Sequence, residues 1–216
     1  DVDETSRIFN SVNAVYIDEK GISHGIGFDG KGALTALLDS DVYLNNKTAV
    51  ILGTGGISGV IGYELARNGV KKIILINRTE TRLKNIAGIL SNNTNCEVVP
   101  MLLSPENLDI AASEADIFLD CTPLGMAGYP HTHEYLGFVE KLPDNATVFD
   151  CVINPPDTPL IKEAKKRGLK TVPGMKMLIG QMDSIFDFMF GVKITKEHKK
   201  ACLDDLMKYL LAKQGK

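Results

Sequence analysis

A run of glycines between two kinds of apolar pattern is the first chemistry this sequence offers. GTGGIS (53–58) follows the continuous apolar run of TAVIL and precedes a helical pattern that ends at Gly69. Glycine there lets backbone N–H groups come close to a pyrophosphate, and the helix behind it turns its positive end toward that charge. Gly53, Thr54, Gly55, Gly56 and Ile57 are therefore candidate cofactor contacts. The spacing is G-x-G-G and not the full G-x-G-x-x-G, and a turn made for packing would read the same. Its place between a strand and a helix of an alternating run favours the dinucleotide. The next strand, KKIILIN, ends in Asn77-Arg78-Thr79, with Arg82 one turn on. A carboxylate at that position bonds the ribose of NAD, whereas guanidinium groups fork onto a 2′-phosphate. The cluster thus points to NADP; the plainer reading of Arg78 and Arg82 is a solvated helix start.

Other polar residues are less specific. Asp29-Gly30 is a turn-forming pair as well as a candidate acid. Gln181 sits on a helical pattern where it could be only a polar edge. His131 and His133 form a close pair, but a metal would need more ligands nearby, so HTH reads as a polar loop and no metal site is expected. Cys96, Cys121, Cys151 and Cys202 lack CxxC spacing and read as free or buried thiols of a reducing cytoplasm.

The elements that must hold these residues follow from periodicity. VNAVYI-DEKG-ISHGIG (12–26) predicts a short hairpin. Residues 30–41 have helical spacing, with Ala33, Leu34, Leu37 and Leu38 on one face. From Lys47 the chain alternates. TAVILG, KKIILIN, CEVVPML, DIFLDCTP, NATVFDCV and LKTVP read as six strands, with helices in ISGVIGYELARNG, TETRLKNIAGILSN, SPENLDIAASEA and TPLIKEAKKRG, the second of which Thr79 could cap. GMKMLIGQMDSIFDFMFG and ITKEHKKACLDDLMKYLLAKQG read as two closing helices. Apolar strands joined by helices imply an α/β fold, a Rossmann-like doubly wound parallel sheet covered on both faces. A boundary is expected near residues 40–46. In the last helix Leu203, Leu206, Leu210 and Leu211 are expected to pack back on the parent domain, an interface in a homodimer being the other reading.

With 44% hydrophobic and 24% charged residues, the chain can bury a core. A net charge of −3, without basic blocks, argues against nucleic acid as a partner. No apolar run approaches the ~20 residues of a membrane span, and the acidic, polar N-terminus is not a secretory signal. A cytoplasmic location is expected.

Seven motifs, in order and spacing, resemble the shikimate dehydrogenase family with its quinate/shikimate relatives: SVNAV (11–15), FDGKG (28–32), GTGGIS (53–58), NRTETR (77–82), CTPLGM (121–126), FDCVINPPDTPLIKEA (149–164) and GMKMLIGQ (174–181). The resemblance spans essentially the whole chain. It implies an NADP-dependent interconversion of 3-dehydroshikimate and shikimate, in a cleft between an NADP-binding Rossmann domain with C-terminal cleft helices, residues 41–216, and a substrate-binding domain of which 1–40 are the remnant or linking part. It places the family's catalytic Asp at Asp29 and its substrate-binding Asn and Gln at Asn13 and Gln181. It adds Thr122, Leu124, Gly125, Met126, Val152, Gly174 and Met177 to the cofactor contacts and puts Ile153 against the substrate. Hydride transfer to a ketone builds charge on oxygen that a proton donor must meet, and a carboxylate beside a lysine keeps that donor charged and oriented. The family's lysine is expected well before Asn13, ahead of Asp1, together with most of the substrate domain.

The resemblance also marks departures. Gly27-Phe28 stands where the family has Asn-Thr, Asp120 where it has Asn, and Ile153 where it has Tyr. A pocket less polar near Phe28 and Ile153 is expected, and a more acidic one near Asp120 if that side chain faces the cleft. A related cyclic hydroxy acid is the alternative substrate, and a non-catalytic NADP-binding paralogue the alternative function.

Overall fold

Strands apolar on both faces are stable only between two layers of helix, and that is how this chain folds. The computed structural model describes residues 1–214. Its central sheet has six parallel strands in the order β5-β4-β3-β6-β7-β8, formed by β3 (Thr48–Leu52), β4 (Lys72–Asn77), β5 (Glu97–Leu102), β6 (Ile117–Asp120), β7 (Thr147–Asp150) and β8 (Lys170–Pro173). Counting only these strands, the order is 3-2-1-4-5-6, that of the doubly wound dinucleotide-binding sheet. Within β3 the side chains alternate faces. Ile51 enters one core with Leu75, Leu119 and Phe149, while Val50 and Leu52 enter the other with Ile74, Ile76, Phe118 and Val148.

The first core is covered by α2 (Asp29–Leu38), α3 (Ser58–Arg67), α4 (Glu80–Asn93) and α7 (Gly174–Phe190). The second is covered by α5 (Pro105–Glu114), α6 (Pro159–Lys166) and a short 3₁₀ turn, Gly137–Lys141. Before the sheet come α1 (Glu4–Phe9) and an antiparallel hairpin, β1 (Ala14–Ile17) with β2 (Ser23–Ile26); α8 (Lys196–Gln214) follows it. All the expected elements form. Three local expectations do not hold. Thr79 stands at the N-cap of α4, but its side chain makes no capping bond. Leu38, at the last turn of α2, and Leu211 are more than half exposed; of the α8 leucines, Leu210 is buried and Leu203 and Leu206 partly so. No helix among the described residues is long and apolar enough to cross a membrane.

Two glycines fix how the last cleft helix meets the first. A Cβ at Gly32 would lie 2.5 Å from the Gln181 side chain and 2.8 Å from the Met177 carbonyl; one at Gly180 would lie 2.5 Å from the Gly32 carbonyl. Helices α2 and α7 therefore touch backbone to backbone. Gly180→Ala forces them apart, and overpacking of this kind costs about 1–3 kcal/mol. Urea denaturation should show that loss; an unchanged midpoint would mean the helices do not meet this closely.

Candidate functional site

The glycine loop leaves β3 at the point where the strand order reverses. Gly53 has φ of 92°, a left-handed conformation open to glycine, and its N–H donates to the Ile76 carbonyl at 2.7 Å. It also has no room for a side chain, because an added Cβ would lie 2.8 Å from Thr122 on the loop after β6. Gly55 and Gly56 are exposed and face open space. Helix α3 starts after Ile57 with no side-chain cap, so its first N–H groups are free for an anion. Thr54 is buried, yet among the described residues its hydroxyl has no hydrogen-bond partner. A buried hydroxyl left unpaired is destabilising unless something else satisfies it. At the end of β4, Asn77 donates to the Thr79 carbonyl at 3.2 Å, and Arg78 and Arg82 are exposed. Among the described residues neither arginine has a carboxylate within salt-bridge distance. An uncapped helix, an orphaned hydroxyl and two unpaired guanidinium groups around open glycines fit a phosphorylated dinucleotide.

The second cluster lies at the start of α2. Gln181 Nε2 donates to Asp29 Oδ1 at 2.5 Å, and Asn13 Oδ1 accepts from the Phe28 N–H at 2.9 Å. Burial raises the Asp29 carboxyl above the ordinary range, while hydrogen bonds from Asn13 and Gln181 oppose the rise. Helix α2 reaches α3 as well as α7, since a Cβ at Gly30 would lie 2.6 Å from the Val60 carbonyl in the first turn of α3. Asn13, Asp29 and Gln181, far apart in sequence, are thus one site beside the helix that follows the glycine loop. Phe28 is buried next to Phe188, with ring centroids 6.0 Å apart, so it adds an apolar floor.

The loops after β6 and β7 hold the remaining candidates. Thr122, Leu124 and Gly125 are partly buried and Met126 is exposed. Ile153 is exposed at the rim, while Val152 is buried. Gly174 lies where a Cβ would be 2.5 Å from the Val152 carbonyl, so β8 turns into α7 directly against the β7 loop. Met177 is buried in the first core, beneath the site, and its side chain packs there.

Two carboxylates set these loops. Asp120 and Asp150 end neighbouring strands in register, and both are fully buried. Asp120 Oδ1 accepts from the Thr122 N–H at 2.8 Å. Asp150 accepts from the Val152 N–H at 2.9 Å and from the Thr158 hydroxyl at 2.5 Å. Thr158 in turn caps α6 by accepting from the Ile161 N–H at 3.2 Å. Burial, then the charge of Asp120, pushes the Asp150 carboxyl up to about 7. Asp120 does not make the cleft acidic. Its Oδ2 faces inward to His133 Nε2 at 2.8 Å, and the two side chains are 0% and 3% exposed. His133 is therefore a buried partner, and HTH is not only a polar loop. Cys121 and Cys151 follow the two aspartates with their sulfurs 3.8 Å apart, and all four cysteines are free thiols. Nothing in the motifs marks Asp120, His133, Asp150 and Thr158 as one cluster. The signal for it is an aspartate ending each of two apolar strands, since a buried charge needs a partner.

The same architecture occurs in known proteins. The family model for shikimate/quinate 5-dehydrogenase matches residues 36–125. The NADP(+) shikimate dehydrogenase of Alkaliphilus oremlandii is 34% identical over 204 residues, covering 94% of this chain and 71% of that protein. The chain belongs to the shikimate/quinate 5-dehydrogenase family. Among solved members, the Listeria monocytogenes shikimate 5-dehydrogenase, in complex with shikimate and NAD, superposes with a TM-score of 0.83 at 26% identity, covering 94% of this chain and 71% of that one. The ligand-free 5-ketofructose reductase of a Gluconobacter strain superposes at 0.81 with 28% identity, covering 95% and 72%. Membership in this family accounts for the seven motifs together.

Thr54→Val removes the orphaned hydroxyl while keeping the side chain's shape. The ligand-free protein should gain about 1 kcal/mol, measured by urea denaturation, and a loss instead would mean the hydroxyl is already satisfied.

Proposed function

We propose that this protein is an NADP-dependent oxidoreductase interconverting 3-dehydroshikimate and shikimate. One observation carries the reading: α2 packs against α7 and α3 at once, so that Asp29 and Gln181 stand beside the helix that follows the glycine loop. On this reading residues 1–40 form the linking part of the substrate side, and residues 41–216 form the NADP domain with its cleft helices.

The pyrophosphate would rest on Gly53, Thr54, Gly55, Gly56 and Ile57, at the uncapped start of α3. The 2′-phosphate would meet Asn77, Arg78, Thr79 and Arg82. Thr122, Leu124, Gly125 and Met126 would close one side, and the Val152 and Gly174 backbones the other, with Met177 beneath. The cofactor's nicotinamide supplies or accepts the hydride. The chain's own work is to orient the substrate and manage the proton. Asn13 and Gln181 orient the Asp29 carboxylate, which on this reading serves the substrate hydroxyl or a lysine donor. Ile153, at the rim, gives the substrate ring an apolar contact.

A related cyclic hydroxy acid such as quinate is the second reading. Ile153 and Phe28 make the substrate side less polar than the family pattern implies, and the architecture is shared with a 5-ketofructose reductase. Work in the cytoplasm on small molecules, with no nucleic-acid or membrane partner, completes the proposal. A homodimer, if formed, would use the exposed side of α8 around Leu211.

The test uses the intact protein with shikimate and either NADP or NAD, following the reduced nicotinamide by absorbance. NADP should be preferred by at least about tenfold in kcat/KM, and Arg78→Ala should erase that preference. Asp29→Asn should lower kcat by about 10²–10⁴. Shikimate oxidation needs Asp29 ionised. Because burial raises its pKa, activity should fall with decreasing pH sooner than an ordinary carboxylate would dictate. That acid limb should vanish in the residual activity of Asp29→Asn. Tight NADPH binding without turnover of shikimate or quinate would sink the catalytic reading and favour a non-catalytic NADP-binding paralogue.

A further inference from the structure

Away from the cleft, helices α2, α7 and α8 enclose a cavity of about 230 Å³. None of the residues placed above in the substrate or cofactor site borders it. Asp29 begins α2, and Ala36, on the cavity, lies about 10 Å further along the helix at 1.5 Å per residue. Ala36, Ile179 and Leu203 give the cavity an apolar part. The rest of its lining is Asp39 and four lysines, Lys176, Lys196, Lys199 and Lys200.

The spacing of these residues shows that the lysines are not a scattered solvent face. Lys196, Lys199, Lys200 and Leu203 recur along α8 at the three- and four-residue intervals of one helix face. On α7, Lys176 and Ile179 are likewise three apart. A helix lying on a protein body ordinarily turns an apolar face inward. Here the face of α8 that borders the cavity carries three ammonium groups and one leucine.

The charges there are only partly matched. Lys199 is satisfied, since its Nζ lies 2.8 Å from Asp39 and 2.7 Å from Asp183. That pairing takes up Asp39, the one acid among the lining residues. Among the described residues Lys176, Lys196 and Lys200 have no carboxylate within salt-bridge distance. Lys176 is the most telling of them. It is half-buried, and its Nζ donates to the neutral Ser40 hydroxyl at 2.8 Å. Burial holds its pKa below the ordinary lysine value, with Lys170 acting the same way and Asp39 and Asp41 opposing. An ammonium has three protons to give, and one removed from water calls for a counter-charge. A carboxylate would supply both an acceptor and that charge.

We infer that this cavity is a second binding site, for a small ring-bearing carboxylate: Lys176, Lys196 and Lys200 draw the carboxylate, and Ala36, Ile179 and Leu203 receive the ring. Volume sets the size of the ligand. A cavity of about 150 Å³ admits benzene, so this one has room for a six-membered ring with a carboxylate, and it is smaller than the usual pocket for a drug-sized molecule. The apolar part sets the class. Inorganic phosphate would leave Ile179 and Leu203 without a partner, and an uncharged ring would leave the lysines without one. The site stands whether or not the protein turns over shikimate, since Asp29, Gln181 and the glycine loop take no part in it.

The test is calorimetric titration of the intact protein with benzoate, benzyl alcohol and inorganic phosphate. Benzoate should bind with a dissociation constant of about 1 mM or tighter, as its few heavy atoms allow. Benzyl alcohol and phosphate, each carrying half of the required chemistry, should bind at least about fivefold more weakly. Lys176→Met should weaken benzoate by about fivefold or more, whereas Gln181→Ala, in the cleft, should leave it unchanged. The three probes compared on the wild type decide the ligand class even if a variant folds poorly. No heat from benzoate at about 10 mM, ten times the expected constant, would overturn the proposal. So would phosphate or benzyl alcohol binding as tightly as benzoate. Benzoate lost in Gln181→Ala but kept in Lys176→Met would place the probe in the cleft and overturn the second site.

Discussion

Two carboxylates buried next to each other at the end of a parallel sheet are the constraint on which the cofactor side of this molecule depends. Neighbouring strands in register bring Asp120 and Asp150 together with no solvent. Such groups persist only if their oxygens are taken up by hydrogen bonds and their charge is offset. The chain meets the first demand with backbone N–H groups of the following loops and the Thr158 hydroxyl, and it sets the His133 ring 2.8 Å from the remaining Asp120 oxygen. Each solution bends the chain sharply after its strand. The loops that the family resemblance marks as cofactor contacts therefore take their shape from desolvated charge below them rather than from their own sequence.

The substrate side rests on a different kind of contact. Asp29 and Gln181 are 152 positions apart, and their 2.5 Å bond exists because α2 and α7 meet at Gly32 and Gly180. Larger residues there would move the helices apart by the thickness of a side chain, more than a hydrogen bond tolerates. Small residues in the packing thus set polar geometry in the site one turn away. Gly30 does the same toward α3, which joins the acid to the glycine-loop helix. A fold that looks like a standard doubly wound sheet owes its particular site to three backbone approaches.

Much of this is legible in the sequence. Continuous apolar runs mark the six parallel strands, because burial on both faces removes the alternation that a half-exposed strand keeps. Glycine spacing and the basic end of β4 locate the cofactor loop, because both act through local backbone. Asn13, Asp29 and Gln181 are named through family resemblance; nothing in their own spacing could join them, since the contact that does so lies between distant helices. His133 escapes a sequence reading for a related reason. A histidine in a polar loop has no periodicity, and its partner is chosen by where β6 ends. Leu38 and Thr79 show the opposite limit. Local rules put one in the core and make the other a cap, and tertiary placement leaves Leu38 in solvent and Thr79 without its bond.

Polar groups are thus distributed unequally between the two parts of the site. Around Asp29 the side chains have partners: Gln181 bonds the carboxylate and Asn13 the Phe28 N–H, which fixes their geometry. Around the glycine loop the opposite holds. Among the described residues Thr54 is orphaned, α3 has no side-chain cap, and Arg78 and Arg82 face solvent without carboxylates. A region built this way gives up stability when alone and regains it on binding a phosphorylated ligand, by mass action. The Asp29 cluster is internally satisfied, and the glycine loop is left incomplete in the chemical sense that a dinucleotide would complete. That asymmetry suits an order in which the dinucleotide binds first. Its phosphates would settle the loops whose edge the substrate must later meet, at Ile153 and beside Thr122.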